Sequence, residues 1–316
     1  MRPERIYAAD LLRALACLFI FHYHCNTFLP GEWKFLTLFG QDLGNDLFFM
    51  ISGFTLYGSI QGTDFGGFPS WAVKRLKRIL PMLFVAYVAA ALTGYYSFRD
   101  PRQLFTVLVY PTLYWFVSAI IVFYLLLFFL VKAVPFSARI GISLILFAGY
   151  CLLGDRAERL YVIGFLSMLL GFMIREWAER REGSGRNGLW FLLLLLGIAV
   201  YGAGKWAGRL PVTALGVLWT GISALLLGLG MNAQLREYFE KHVRLYAVVR
   251  WIGLMALPVY LVQCFRAGEI GFWIGQNIDF PWSYPVNLIL VWTAASLLYF
   301  LDSILQKAWA EGGSNG

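Results

Sequence analysis

The sequence predicts an all-α, polytopic integral membrane protein with about ten transmembrane helices and both termini in the cytoplasm. Three observations carry that prediction. Composition is the first: 59% of the 316 residues are hydrophobic, 18% aromatic and only 14% charged, against about 25% charged in soluble domains. Segmentation is the second. Apolar stretches run over residues 7–29, 43–60, 79–97, 107–131, 140–154, 160–174, 188–204, 210–231, 250–267 and 285–306, and a bilayer helix needs about 20 such residues. The third is the placement of positive charge. With the N-terminus inside, 17 Lys and Arg fall in cytoplasmic connections and 8 outside, the bias that insertion imposes. An even number of spans then returns the chain to the side on which it began.

These numbers exclude a disordered chain, a secreted disulfide scaffold and a water-soluble enzyme. The net charge of +8 reads as insertion bias, so no nucleic-acid partner is expected. Cys17, Cys25, Cys151 and Cys264 show no CxxC spacing, which argues against structural zinc or a disulfide framework. The first stretch contains Asp10 and Arg13 and no small-residue cleavage pattern, so it reads as a retained helix. The connections over 175–187 and 232–249 are too short to fold alone, and residues 1–316 read as a single transmembrane domain. The fifth and sixth stretches, about 15 residues each against the usual 20, read as tilted or partly re-entrant. Gly216, Gly221, Gly228 and Gly230 suit close helix packing in lipid.

In the first stretch, Asp10, Arg13, His22 and His24 are ionisable groups at membrane depth, expensive there and functional by default. On a helix Arg13 and His24 fall about 20° apart and Asp10 lies within about 60° of Arg13, a polar seam about 21 Å long. His22 falls about 180° away and reads as structural. A plainer reading makes Asp10 and Arg13 an i,i+3 ion pair with Arg13 reaching for headgroups, and puts His24 at the outer interface. The second stretch opens Asn45-Asp46-Leu47-Phe48-Phe49-Met50-Ile51-Ser52-Gly53-Phe54. Sequential antiparallel helices would put His24 and Asp46 at similar depth. A carboxylate beside an imidazole fixes its tautomer and stabilises the imidazolium, as a general base requires; a helix-start cap is the alternative role for Asp46. Lys74-Arg75-Leu76-Lys77-Arg78 precede the third stretch. They read as insertion bias or contact with anionic lipid, or else as a phosphate site.

Together these stretches resemble the acyltransferase 3 family of membrane-bound acyltransferases. Arg13 followed by ten residues and His24 is similar to the family's Arg-x10-His first helix. Asp46 to Phe54 resembles its second-helix signature, and Arg75, Arg78 and Pro81 its basic segment. Tyr114-Trp115-Phe116-Val117-Ser118 with Tyr124 is similar to its fourth-helix motif. Two positions depart from the pattern. Ile120 stands in a wholly apolar run where many members have Glu, and Tyr260-Leu261-Val262-Gln263 ends in Gln where some carry His. Gln hydrogen-bonds but does not titrate near neutral pH, so Gln263 suits substrate binding and not proton transfer.

The resemblance implies acyl transfer, most simply of acetyl, from cytoplasmic acyl-coenzyme A (acetyl-CoA) in a bacterial inner membrane. The implied acceptor is a hydroxyl of an exopolysaccharide or lipopolysaccharide sugar, or of a lipid-linked precursor. His24 is the implied catalytic histidine and Arg13 its partner toward the donor; Asp46 joins them from the helix argument above. Lys74, Arg75 and Arg78 are candidates to hold the coenzyme A phosphates, and Asp10, Ser52, Trp115, Ser118, Tyr260 and Gln263 to contact substrate. No metal is expected; the expected partners are the bilayer, the donor, the sugar acceptor and polysaccharide-synthesis machinery. The rival class is a proton-coupled transporter or flippase of a polysaccharide export system, which also carries intramembrane Arg, His and Asp. The crowding of these groups into the first two stretches weighs against it.

Overall fold

A computed structural model describes residues 7–37, 39–92, 115–153, 158–180, 197 and 212–312. Every regular element among them is helical, as expected where lipid offers no partner to unpaired backbone groups. In chain order the helices are α1 (Tyr7–His24), α2 (Gly40–Gln61), α3 (Phe68–Leu76), α4 (Leu80–Leu92), α5 (Trp115–Ala133) and α6 (Phe136–Leu153). They continue as α7 (Arg159–Arg180), α8 (Val212–Gly230), α9 (Ala233–Lys241), α10 (Val243–Leu254), α11 (Ala256–Asn277) and α12 (Ser283–Gly312). Two 3-10 turns, Cys25–Thr27 and Gly31–Thr37, follow α1.

The chain divides into two compact units. The first comprises Met1–Tyr23, Leu38–Asp64 and Phe123–Leu254, and its centre is the pair α2 and α7. A Cβ at Gly53 would run into the Met168 carbonyl, and one at Gly171 into the Met50 carbonyl. The two helices therefore meet backbone to backbone, which only residues without side chains permit. Around that contact Leu12 and Ala16 of α1, Leu47, Met50, Ile51 and Phe54 of α2, and Trp219, Ile222 and Leu227 of α8 form one buried cluster. The glycines of α8 contribute less than their number suggests. Gly216 lies against the Tyr150 ring and Gly230 against Ala8, while a Cβ at Gly221 or Gly228 would meet no neighbouring element within 4 Å.

A buried ion pair ties α6 to α7 within this unit. The Arg139 guanidinium donates from Nη1 to Glu176 Oε2, from Nη2 to the Val131 carbonyl at 2.9 Å and from Nε to the Val134 carbonyl at 2.8 Å. Glu176 Oε1 accepts from Arg180 Nη2 at 2.6 Å. An orphan carbonyl of the last turn of α5 and the carbonyl of the residue that follows the helix thus acquire a charged donor.

The second unit comprises His24–Thr37, Phe65–Val122 and Met255–Gly316. In it α12 packs on α11 and α4, and the Cys25–Thr27 turn packs on α11. Asn287 of α12, itself buried, donates from Nδ2 to Cys25 Sγ at 3.5 Å.

Among the described residues four helices are long and apolar enough to cross a bilayer: Trp115–Ala133, Phe136–Leu153, Arg159–Arg180 and Ser283–Lys307. Two bent pairs, Ala214–Gly230 with Gln234–Lys241 and Val243–Leu254 with Ala256–Gln263, raise this to six. The expected ten are thus supported as four to six. The stretch over 188–204 lies outside the described residues except for Gly197, and α1 carries Asp10, Arg13, His22 and His24 within 18 residues. The fifth and sixth stretches are longer than their apolar runs suggested, at 18 and 22 residues. Arg139 and Glu176 mark the ends of those runs in sequence, yet as a pair they let both helices continue. The segment expected as a connection over 232–249 is also helical, forming α9 and most of α10.

Candidate functional site

The chemistry-bearing residues of the first unit fall into two groups, and His24, the last residue of α1, already belongs to the second unit. One lies on α1, which runs without interruption from Tyr7 to His24. A continuous helix keeps Arg13 and His24 on one face, about 16 Å apart along the axis. Asp10 Oδ1 accepts from Arg13 Nη1 at 3.4 Å, the i,i+3 pair that the spacing allowed. Its other oxygen, Oδ2, accepts from the Tyr246 hydroxyl of α10 at 2.6 Å. The Tyr246 ring is itself held by Tyr7, at a centroid distance of 4.6 Å, and by Phe239 of α9, at 5.5 Å. Gly253 brings the same helix close to α1: a Cβ there would stand 3.0 Å from the Asp10 carbonyl oxygen and 3.4 Å from Arg13 Cβ. His22 Nδ1 donates to the Leu18 carbonyl at 2.7 Å, one turn back on its own helix.

The second group surrounds Asp46. Its side chain is buried at 4% exposure, and Oδ1 accepts from the Ser167 hydroxyl of α7 and, at 3.3 Å, from the Thr220 hydroxyl of α8. Ser167 and Thr220 are in turn 3.3 Å apart. Ser223, fully buried, sets a third hydroxyl beside the carboxylate without reaching hydrogen-bond geometry. Charge-assisted hydrogen bonds are roughly twice as strong as neutral ones, so these hydroxyls offset part of the cost of burying the carboxylate. Ser52, about a third of a turn around α2 from Asp46, is only partly buried.

In the second unit, the start of α5 and the first turns of α11 come together. The Phe116 and Tyr260 rings stand 5.4 Å apart, joining the Trp115-to-Ser118 motif to the Tyr260-to-Gln263 segment. Ser118, Tyr260 and Gln263 are all buried, at 8%, 4% and 1% exposure, and Trp115 is partly so. The basic segment straddles a helix end. Lys74 and Arg75 occupy the last turn of α3, where cations favour the helix dipole, and Arg78 lies in the turn before α4. The Arg75 guanidinium sits over the Trp71 ring, 5.7 Å from its centroid, while Lys74, Lys77 and Arg78 are exposed.

Sequence reasoning missed Tyr246, Ser167, Thr220 and Asn287. Ser167, Thr220 and Asn287 are ordinary polar residues in apolar helices and Tyr246 lies in a segment that reads as a connection, and a partner 236 residues away, as Tyr246 is from Asp10, leaves no local signal. Among the described residues there is no group of three or more His, Cys, Asp or Glu placed to hold a metal ion.

A helical chain with charged and imidazole side chains fixed inside apolar helices is a membrane protein built to do chemistry or transport at that depth. The family is specific: a model of the acyltransferase domain of the acyltransferase 3 family matches residues 6–310. The chain belongs to that family and is a membrane acyltransferase. Comparison with curated proteins and with solved structures gave no match.

Proposed function

We propose that this protein is a membrane-embedded O-acyltransferase. It moves a short acyl group, most simply acetyl, from cytoplasmic acyl-coenzyme A to a sugar hydroxyl of a cell-surface polysaccharide or its lipid-linked precursor. The observation that carries this reading is the unbroken helix α1, which presents Arg13 and His24 on one face in a chain of this family. Orientation with the N-terminus inside follows from the 17 to 8 distribution of Lys and Arg, and the host membrane is the bacterial inner membrane.

Each residue has a role. Lys74, Arg75 and Arg78 bind the donor's phosphates, for which clustered cations are suited. Arg13 holds the donor toward its reacting end. Neutral His24 takes the proton of the acceptor hydroxyl as that oxygen attacks the thioester carbonyl. The carbon–sulfur bond breaks, and the departing thiolate takes the proton from the imidazolium. A two-step route through an acyl-imidazole uses the same atoms. Asp46 is assigned from the helix argument, as the carboxylate at a depth similar to that of His24, and Trp115, Ser118, Tyr260 and Gln263 as acceptor contacts.

The test is transfer of labelled acetyl from acetyl-coenzyme A to polysaccharide in membranes carrying His24→Ala. Transfer is expected to fall by about 100-fold or more, the usual scale of a lost general base, while His22→Ala keeps most of it. Undiminished transfer at normal expression would refute the assignment of His24. Proton-driven uptake of sugar without thioester consumption would establish the carrier reading in its place.

A further inference from the structure

We infer that Tyr246 is a positioning residue for Arg13, acting through Asp10 by anchoring the carboxylate oxygen Oδ2 and so keeping the carboxylate from turning to complete a two-pronged ion pair. This rests on the acyl-transfer reading, in which Arg13 holds the donor.

A guanidinium and a carboxylate three residues apart on one helix are free to pair through two parallel hydrogen bonds, the strongest arrangement open to them. Here they do not. Arg13 reaches Asp10 by one long contact of 3.4 Å to Oδ1, and Oδ2 is taken by the Tyr246 hydroxyl at 2.6 Å. A phenol suits that place. It donates one hydrogen bond and leaves the carboxylate its charge, so Asp10 still attracts Arg13 without sequestering it. The Arg13 side chain is 37% exposed, which leaves its remaining N–H groups accessible to an anionic or carbonyl oxygen of a ligand.

The phenol is built into the fold. Tyr246 is 5% exposed, with its ring between Tyr7 and Phe239. Seven residues further on, Gly253 keeps the same face of α10 against the backbone of Asp10 and the base of Arg13. The hydroxyl therefore has a fixed place, and losing it frees Asp10 to rotate onto Arg13 and draw the guanidinium off the donor.

Tyr246→Phe isolates this effect, because it keeps the ring packing and removes only the hydroxyl. In purified protein, KM for acetyl-coenzyme A is expected to rise about tenfold, the worth of one hydrogen bond to a charged group, with a smaller change in kcat. The Kd of a non-reactive thioether analogue should rise in parallel. Adding Asp10→Asn to Tyr246→Phe should then recover donor affinity, since an amide does not compete for the guanidinium as a carboxylate does. A merely structural tyrosine gives the opposite pattern, with the second substitution worsening the first. An unchanged KM in Tyr246→Phe, or a double variant weaker than the single one, overturns the inference while acyl transfer stands. A parent protein that neither binds the analogue nor transfers acetyl brings down both, and that result is visible before any variant is made.

Discussion

Glu176 shows how much a single side chain carries. At 5% side-chain exposure it is the counter-charge of Arg139, at 6%, and it also accepts from Arg180. Removing one member of a buried pair leaves an uncompensated charge, which costs about 3–5 kcal/mol. Glu176→Gln should therefore lower the thermal unfolding midpoint in detergent markedly, and Arg180→Gln, whose own side chain is 60% exposed and which leaves the Arg139–Glu176 pair in place, should change it little. Asp46 allows a graded comparison. Ser167→Ala removes its closest donor and is expected to cost about 1–3 kcal/mol, more than Thr220→Val at a 3.3 Å contact; equal effects would contradict the hydroxyl cluster described above. For Asp46→Asn, loss of rate should exceed loss of donor affinity, checked by the split between kcat and KM. At this scale the sequence revealed the residues but not their partners. Asp10, Arg13, His24 and Asp46 stand out because charge in an apolar run is conspicuous. Ser167, Thr220 and Tyr246 do not, because hydroxyls are common in such helices and their relevance is a matter of three-dimensional position.

At the scale of elements, the decisive contact is α2 on α7. Gly53→Ala would drive a methyl group into the Met168 carbonyl, and Gly171→Ala one into that of Met50. With backbone on both sides no rotamer relieves the clash, so both variants should accumulate poorly or unfold early. Gly221→Ala and Gly228→Ala, with open space around them, should be tolerated; expression level and melting in detergent provide the comparison. Apolar periodicity located most elements but misjudged the ends of α6 and α7. A hydropathy reading ends a helix at its first charge, whereas Arg139 and Glu176 neutralise each other and let the helices run on. The segments α9 and α10 were hidden for a related reason. Arg236, Lys241, Arg244 and Arg250 give them the look of a connection, yet Phe239 and Tyr246 anchor them to the start of α1.

For the whole molecule, the asymmetry of Lys and Arg predicts which side the basic segment faces. A Lys77→Cys variant should resist a membrane-impermeant thiol reagent in intact cells and react once the membrane is permeabilised, measured against the parent chain with its exposed Cys151. Labelling in intact cells would reverse the orientation and with it the cytoplasmic origin of the donor. The helical membrane architecture was readable from composition alone, because lipid admits few alternatives; the division into two units was not, since it depends on contacts between distant segments.

The bond between Asp10 and Tyr246 has a consequence for biogenesis. A ribosome adding about 5–20 residues per second needs roughly ten to fifty seconds to make the 236 residues that separate them. Throughout that interval the nascent first helix must be accommodated in the translocon or lipid without the phenol that later tethers its carboxylate. Chains truncated before α10 should therefore be substrates for membrane quality-control proteases, even though every segment up to that point has been inserted.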